Sequence, residues 1–134
     1  MIVCVDTNVI LDVITDDPIH ANRSQELLGQ ARDSGSIVIC EIVYAELVPH
    51  FDTREELDAA LGVLGARVIG CGTDVAYLAG TRWAAYRKAG GTRERVLTDF
   101  VIGAHAAVHD HSFLTRDRGF YRTYFPELRE FSPG

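Results

Sequence analysis

The 134-residue chain predicts an α/β protein, three layers deep (α/β/α), with a mainly parallel central sheet of four to five strands in a single domain spanning residues 1–134. Three observations predict it. Short β-rich apolar runs alternate along the chain with segments of helical periodicity. The stretches between the runs are long enough for the crossovers that parallel neighbours need. A hydrophobic content of 47% with 24% charged residues suits one globular core, and Gly and Pro are scattered as punctuation with no repeat or linker.

Ile2–Val5 is the first apolar run, and Asn8–Ile14 follows with helical spacing up to the break at Asp16-Asp17-Pro18. His20–Ser34 reads as a more polar helix closed by Gly35, and Ile37–Cys40 as the second strand. Glu41–Phe51 should be helical, with Pro49 near its end. The Thr53/Glu56 capping box then opens a helix to about Leu64. Arg67–Cys71 is a third strand. Thr73–Ala89 is a long amphipathic helix ended by Gly90-Gly91, and a short arginine-containing loop leads to the apolar helix Asp99–Val108. Ser112–Leu114 gives a fourth strand and Leu128–Phe131 a fifth.

Composition narrows the function classes. The apolar runs are too short to cross a bilayer and the N-terminus has no basic leader, which gives the expectation of a cytoplasmic protein without a membrane contact. The odd set Cys4, Cys40 and Cys71 lies in or beside β-like runs and reads as buried free thiols. A net charge of −6 argues against gripping nucleic acid with the whole surface. Locally the balance reverses. Twelve of the 13 basic residues are Arg, and Arg82, Arg87, Lys88, Arg93 and Arg95 crowd one segment while Arg116, Arg118 and Arg122 follow near the C-terminal quarter. Arg93, Arg95, Arg116 and Arg118 are candidates for phosphate contact, because a planar guanidinium donates two parallel hydrogen bonds. A solvated helix face is the plain alternative.

Most of the 19 acidic residues sit in polar or amphipathic surroundings. Four stand out. Asp6 closes the first strand and should emerge at its carboxyl end, where open sheets bind ligands. Glu46 lies in Ile42-Val43-Tyr44-Ala45-Glu46-Leu47-Val48, which would bury its carboxylate in mid-helix. Asp99 opens a nearly apolar helix, and Asp117 follows the fourth strand in Thr115-Arg116-Asp117. Helix capping accounts for Asp6 or Asp99 singly. Clustered, four carboxylates repel, and a pair of hard divalent cations, Mg²⁺ or Mn²⁺, resolves the repulsion. His105 and His109 form an i, i+4 pair, but the sequence suggests no third ligand.

Four pieces, Val5-Asp6-Thr7-Asn8-Val9, Tyr44-Ala45-Glu46-Leu47, Thr98 to Ala106 and Leu114 to Phe120, occur in an order and spacing that resembles PIN-domain nucleases, within them the VapC-type toxins of bacterial toxin-antitoxin pairs. The resemblance implies a PIN-like fold and an acidic tetrad at Asp6, Glu46, Asp99 and Asp117, with Asn8 and Thr115 as polar supports. It also implies two Mg²⁺ or Mn²⁺ ions, an RNA substrate cut to 5′-phosphate and 3′-hydroxyl ends, a homodimer and a cognate antitoxin. Two rivals compete. An Asp-based phosphoryl-transfer domain would need a strand-end Lys, whereas the only Lys, Lys88, lies in the long helix. A non-catalytic PIN-like RNA- or partner-binding domain should have lost a carboxylate, and all four are present.

Overall fold

The computed structural model describes residues 1–92 and 96–132. Five parallel strands form one sheet in the order β3-β2-β1-β4-β5, with β1 Ile2–Val5, β2 Ser36–Cys40, β3 Ala66–Ile69, β4 Ser112–Leu114 and β5 Arg129–Glu130. Sequence decides which strands are central. Val3, Cys4 and Val5 of β1 and Ile37 to Cys40 of β2 are essentially inaccessible, so both faces of those strands must be covered. The outer strands carry Arg67 in β3 and the Arg129-Glu130 pair in β5, charged residues that an edge tolerates.

Among the described residues seven α-helices connect the strands: α1 Thr7–Ile14, α2 Ala21–Ser34, α3 Glu41–Leu47, α4 Arg54–Leu64, α5 Gly72–Lys88, α6 Leu97–Val108 and α7 Arg118–Tyr124. The chain steps outward from β1 to β2 to β3, then returns across the sheet to β4 and β5. Right-handed crossovers therefore place α1, α2 and α4 on one face and α5, α6 and α7 on the other. The packing of α1 on α2 and of α5 on α6 follows this division, while α3 meets both α1 and α6. The three-layer, mainly parallel reading holds, with five strands. No described helix is long and apolar enough to cross a membrane.

Local chemistry sets the helix ends. Thr53 accepts a hydrogen bond from the Glu56 amide (3.2 Å) at the start of α4, although the Glu56 carboxylate reaches the Asp52 amide rather than that of Thr53. Gly65 ends α4 in the left-handed region at φ 68°. Three expectations shift. The helix from Glu41 stops at Leu47 and continues only as a 3₁₀ turn, Val48–His50, because Pro49 lacks the amide an α-helix would use. α6 starts two residues before Asp99, which sits inside its first turn. α7 has no counterpart among the helices that periodicity predicts. Its aromatic side chains close the second face: Phe120 lies edge-on to Phe100 of α6 (5.2 Å between centroids), and Gly103 lets the adjoining Phe125 approach so closely that a β-carbon there would stand 2.6 Å from the ring.

Candidate active site

The sheet reverses its direction of winding between β1 and β4, and the carboxyl ends of these two strands open the crevice where such folds bind ligands. Register brings the parts together. Val5 lies opposite Leu114, and the Asp6 amide donates to the Leu114 carbonyl (2.9 Å), so Asp6 and Thr115 leave the sheet side by side. The Thr115 hydroxyl donates to Asp6 Oδ2 at 2.7 Å and also receives the Asp117 amide at 3.0 Å. One hydroxyl thus links the ends of both strands.

Asp6 caps α1 as its plain reading required, with Oδ1 accepting from the Thr7 amide at 2.8 Å. A cap is normally solvated, but Asp6 is only 6% exposed. Burial pushes its carboxyl up to about 6; the Thr115 and Thr7 hydrogen bonds oppose that shift, and the negative charges of Asp99 and Glu46 add to it. Those two charges act on Asp6 because α6 and α3 bring them to the same end of the sheet.

Glu46 does not lie where the all-apolar helix predicted. α3 is short and Ala45 is exposed, so Glu46 is half-buried, and its Oε1 accepts a 2.7 Å hydrogen bond from the Thr7 hydroxyl. Its position is set by α1 as much as by its own helix. Asp99 and Asp117 are also half-buried, Asp117 at the residue that precedes α7. Asn8 Oδ1 accepts from the Arg116 amide at 3.3 Å, holding the β4–α7 loop against α1.

The arginines divide. Arg116 Nε and Nη2 grip both oxygens of Asp12 at 2.7 and 2.9 Å, and Ser24 donates to the same carboxylate at 2.6 Å. Asp12 is 3% exposed, a buried carboxylate that sequence reasoning passed over although Ile10, Leu11 and Val13 flank it as apolar neighbours flank Glu46. Arg82, from the same basic segment as Lys88, is spent on Glu127 and the Tyr124 carbonyl. Arg118 is exposed, with no ion pair among the described residues. Arg93 and Arg95 lie outside the described residues.

The donor set at the crevice is entirely carboxylate, hydroxyl and amide oxygen, which suits a hard divalent cation, and a cation would relieve the mutual repulsion at Asp6. Among the described residues no three His, Cys, Asp or Glu side chains are already closed around one point. Hydroxyls from Thr7 and Thr115 instead take one oxygen each of Glu46 and Asp6. Thr7 is thus a contributor that sequence reasoning missed, visible only as a hydroxyl beside Asp6. The histidine pair does gain a neighbour, since His111 stacks on His109 with 5.4 Å between centroids, but this group precedes β4 at the other end of the strand. His105 is buried against Cys4 (Sγ to Nδ1 3.7 Å).

Comparison with known proteins bears on the family and the fold. The family model described as the PIN domain matches residues 3–126. Among solved structures, VapBC2 from Rickettsia felis bound to a DNA fragment from its promoter superposes with a TM-score of 0.71 at 22% identity, covering 100% of both chains. VapBC-1 from nontypeable Haemophilus influenzae gives 0.73 at 20% identity, and a toxin-antitoxin complex from Klebsiella pneumoniae 0.68 at 18%, each covering 98% of both chains. No curated protein matches. At such identities the solved structures speak for the fold, while the family model spans nearly the whole chain: this chain belongs to the PIN domain family.

Proposed function

We propose that residues 1–134 act as one metal-dependent endoribonuclease domain, the toxin of a toxin-antitoxin pair, working in the cytoplasm. The observation that carries this reading is Asp6, a nearly dry carboxylate whose charge is opposed by burial and by Asp99 and Glu46. A fold has little reason to set two further carboxylates against a buried one unless a cation joins them.

Asp6 and Asp99 are the first choices for direct ligands, with Glu46 and Asp117 completing the set for two Mg²⁺ or Mn²⁺ ions. When bound, the ions lower the pKa of a water and neutralise charge on the attacked phosphate. The chain's own residues do the positioning. Thr115 fixes Asp6 through Oδ2 and turns the Asp117 backbone toward it; Thr7 fixes Glu46; Asn8 steadies the loop between Thr115 and Asp117. Arg118 is available to an RNA phosphate, whereas Arg116 has Asp12 to neutralise first. Arg93 and Arg95 stay in the proposal on sequence grounds. An antitoxin partner is supported by the toxin-antitoxin assemblies named for the solved structures of like fold. A homodimer is retained from the family resemblance.

Two neighbouring glutamates test the reading. Glu46→Gln should eliminate or nearly eliminate cleavage of labelled single-stranded RNA in Mg²⁺ or Mn²⁺. Glu41, at the first position of α3, accepts the Cys71 amide through Oε1 at 3.0 Å, a bond that a glutamine oxygen can keep. Glu41→Gln should therefore retain most activity and cost at most about 1 kcal/mol of stability. A dead Glu41→Gln beside an active Glu46→Gln would overturn the site.

A further inference from the structure

The end of α5 and the start of α6 enclose a cavity of about 580 Å³ lined by Trp83, Tyr86, Arg87, Thr92, Val96 and Leu97. Its floor is fixed. Tyr86 is 7% exposed, donates its hydroxyl to the Thr92 carbonyl at 2.7 Å, and packs against Phe100 and Tyr124 with centroids 5.5 and 5.3 Å away. Gly91 crosses the same ring so closely that a β-carbon would sit 2.5 Å from Cε1. Its wall is different. Trp83 is half-buried, the Arg87 guanidinium lies 5.1 Å from the indole centroid, and Val96 and Leu97 are exposed.

Arg87 is set apart from most of its kind. Arg82, Arg116, Arg122 and Arg129 each hold a carboxylate, whereas among the described residues Arg87 holds none. Leu97, which lines the cavity, and Asp99 of the acidic crevice both belong to the first turn of α6, so one helix end serves both places. A flat ring and a planar cation that holds no carboxylate among the described residues together suit a ligand with an aromatic face and a phosphate. An apolar peptide would leave the Arg87 charge unanswered.

We propose that this cavity receives an unpaired nucleobase of single-stranded RNA next to the scissile phosphate, with Trp83 as the stacking platform and Arg87 on the adjoining phosphate. The inference rests on the ribonuclease reading and adds a subsite to it. Stacking on an aromatic side chain requires a base free of its own stack, so the subsite selects single strands over duplexes.

Trp83 is the chain's single tryptophan, so its fluorescence reports this position alone. In EDTA, where no turnover occurs, a short dye-labelled oligouridylate should quench Trp83 saturably, in step with the rise in dye anisotropy. Trp83→Ala and Arg87→Gln should each weaken binding by about tenfold, while Trp83→Phe, which keeps a ring, should retain most of the affinity. Circular dichroism checks that each variant is folded. Binding without quenching, no binding at all, equal quenching by the matching duplex, or full affinity in Trp83→Ala would each overturn the subsite. So would an emission change that follows protein concentration without RNA, since that assigns the cavity to self-association. Cleavage in Mg²⁺ is scored separately: absent cleavage with intact quenching removes the nuclease reading, and cleavage with unquenched Trp83 removes the subsite.

Discussion

Asp6 does two things that pull in opposite directions. As the cap of α1 it is favoured by the Thr7 amide, and as a buried charge facing Asp99 and Glu46 it is penalised. The sign of its pH dependence follows. Its carboxyl titrates near 3.8 when exposed and at about 6 when folded, so between these values the folded state binds the proton and the unfolded state does not. In the metal-free protein this raises stability as pH falls from above 6 toward 4, by up to roughly 3 kcal/mol at about 1.4 kcal/mol per pKa unit. Thermal melts in EDTA across that range should show the gain, and Asp6→Asn should lack it while being no less stable near neutrality. Identical pH profiles would remove Asp6 from the centre of the cluster. Affinity of the metal-free protein for Mn²⁺ should weaken below about pH 6 for the opposite reason, since the cation must then displace a proton from the carboxyl. Much of this was legible: a lone acid ending an apolar strand announces itself. Asp12 escaped because its partner Arg116 is 104 positions away and no local pattern pairs them.

At the scale of elements, the Asp12–Arg116 pair ties α1, α2 and the β4–α7 loop into one unit, with Ser24 as the third member. Breaking it from the exposed side leaves a charge in a nearly dry place. Arg116→Gln should cost about 3 kcal/mol in denaturant unfolding, and Asp12→Asn in the same chain should restore a good part of it. Additive losses would mean that the two side chains act independently. If Arg116 were instead chiefly an RNA contact, its removal would weaken binding and leave unfolding unchanged. Helix starts and stops were readable where a cap announced them, as at Thr53 and Gly35. α7 was not, because seven residues hold too few turns to display a period and its first turn contains Gly119. Its helical state is imposed by Phe120 and Tyr121 packing inward on α6 and β4.

For the whole molecule, a cation held only by the folded chain must raise its stability. Mn²⁺ at a hundredfold excess over its dissociation constant should add about 2.7 kcal/mol, and Asp6→Asn or Asp99→Asn should lose most of that gain. Calorimetry with and without Mn²⁺ reads it directly, and an equal rise in wild type and variants would place the ion elsewhere. The strand order was not legible in advance, since alternating β and α patterns allow several parallel sheets, and only the pairing of β1 with β4 brings Thr115 to Asp6. That hydrogen bond joins positions 109 residues apart. A contact of such sequence distance cannot form while the chain is being synthesised until β4 and the loop after it have left the ribosome. On the proposed reading, the nascent polypeptide is harmless to the messenger and the translation machinery around it, and catalytic competence arrives as a late event of maturation. A short fragment carrying Asp6 and Glu46 would inherit none of it.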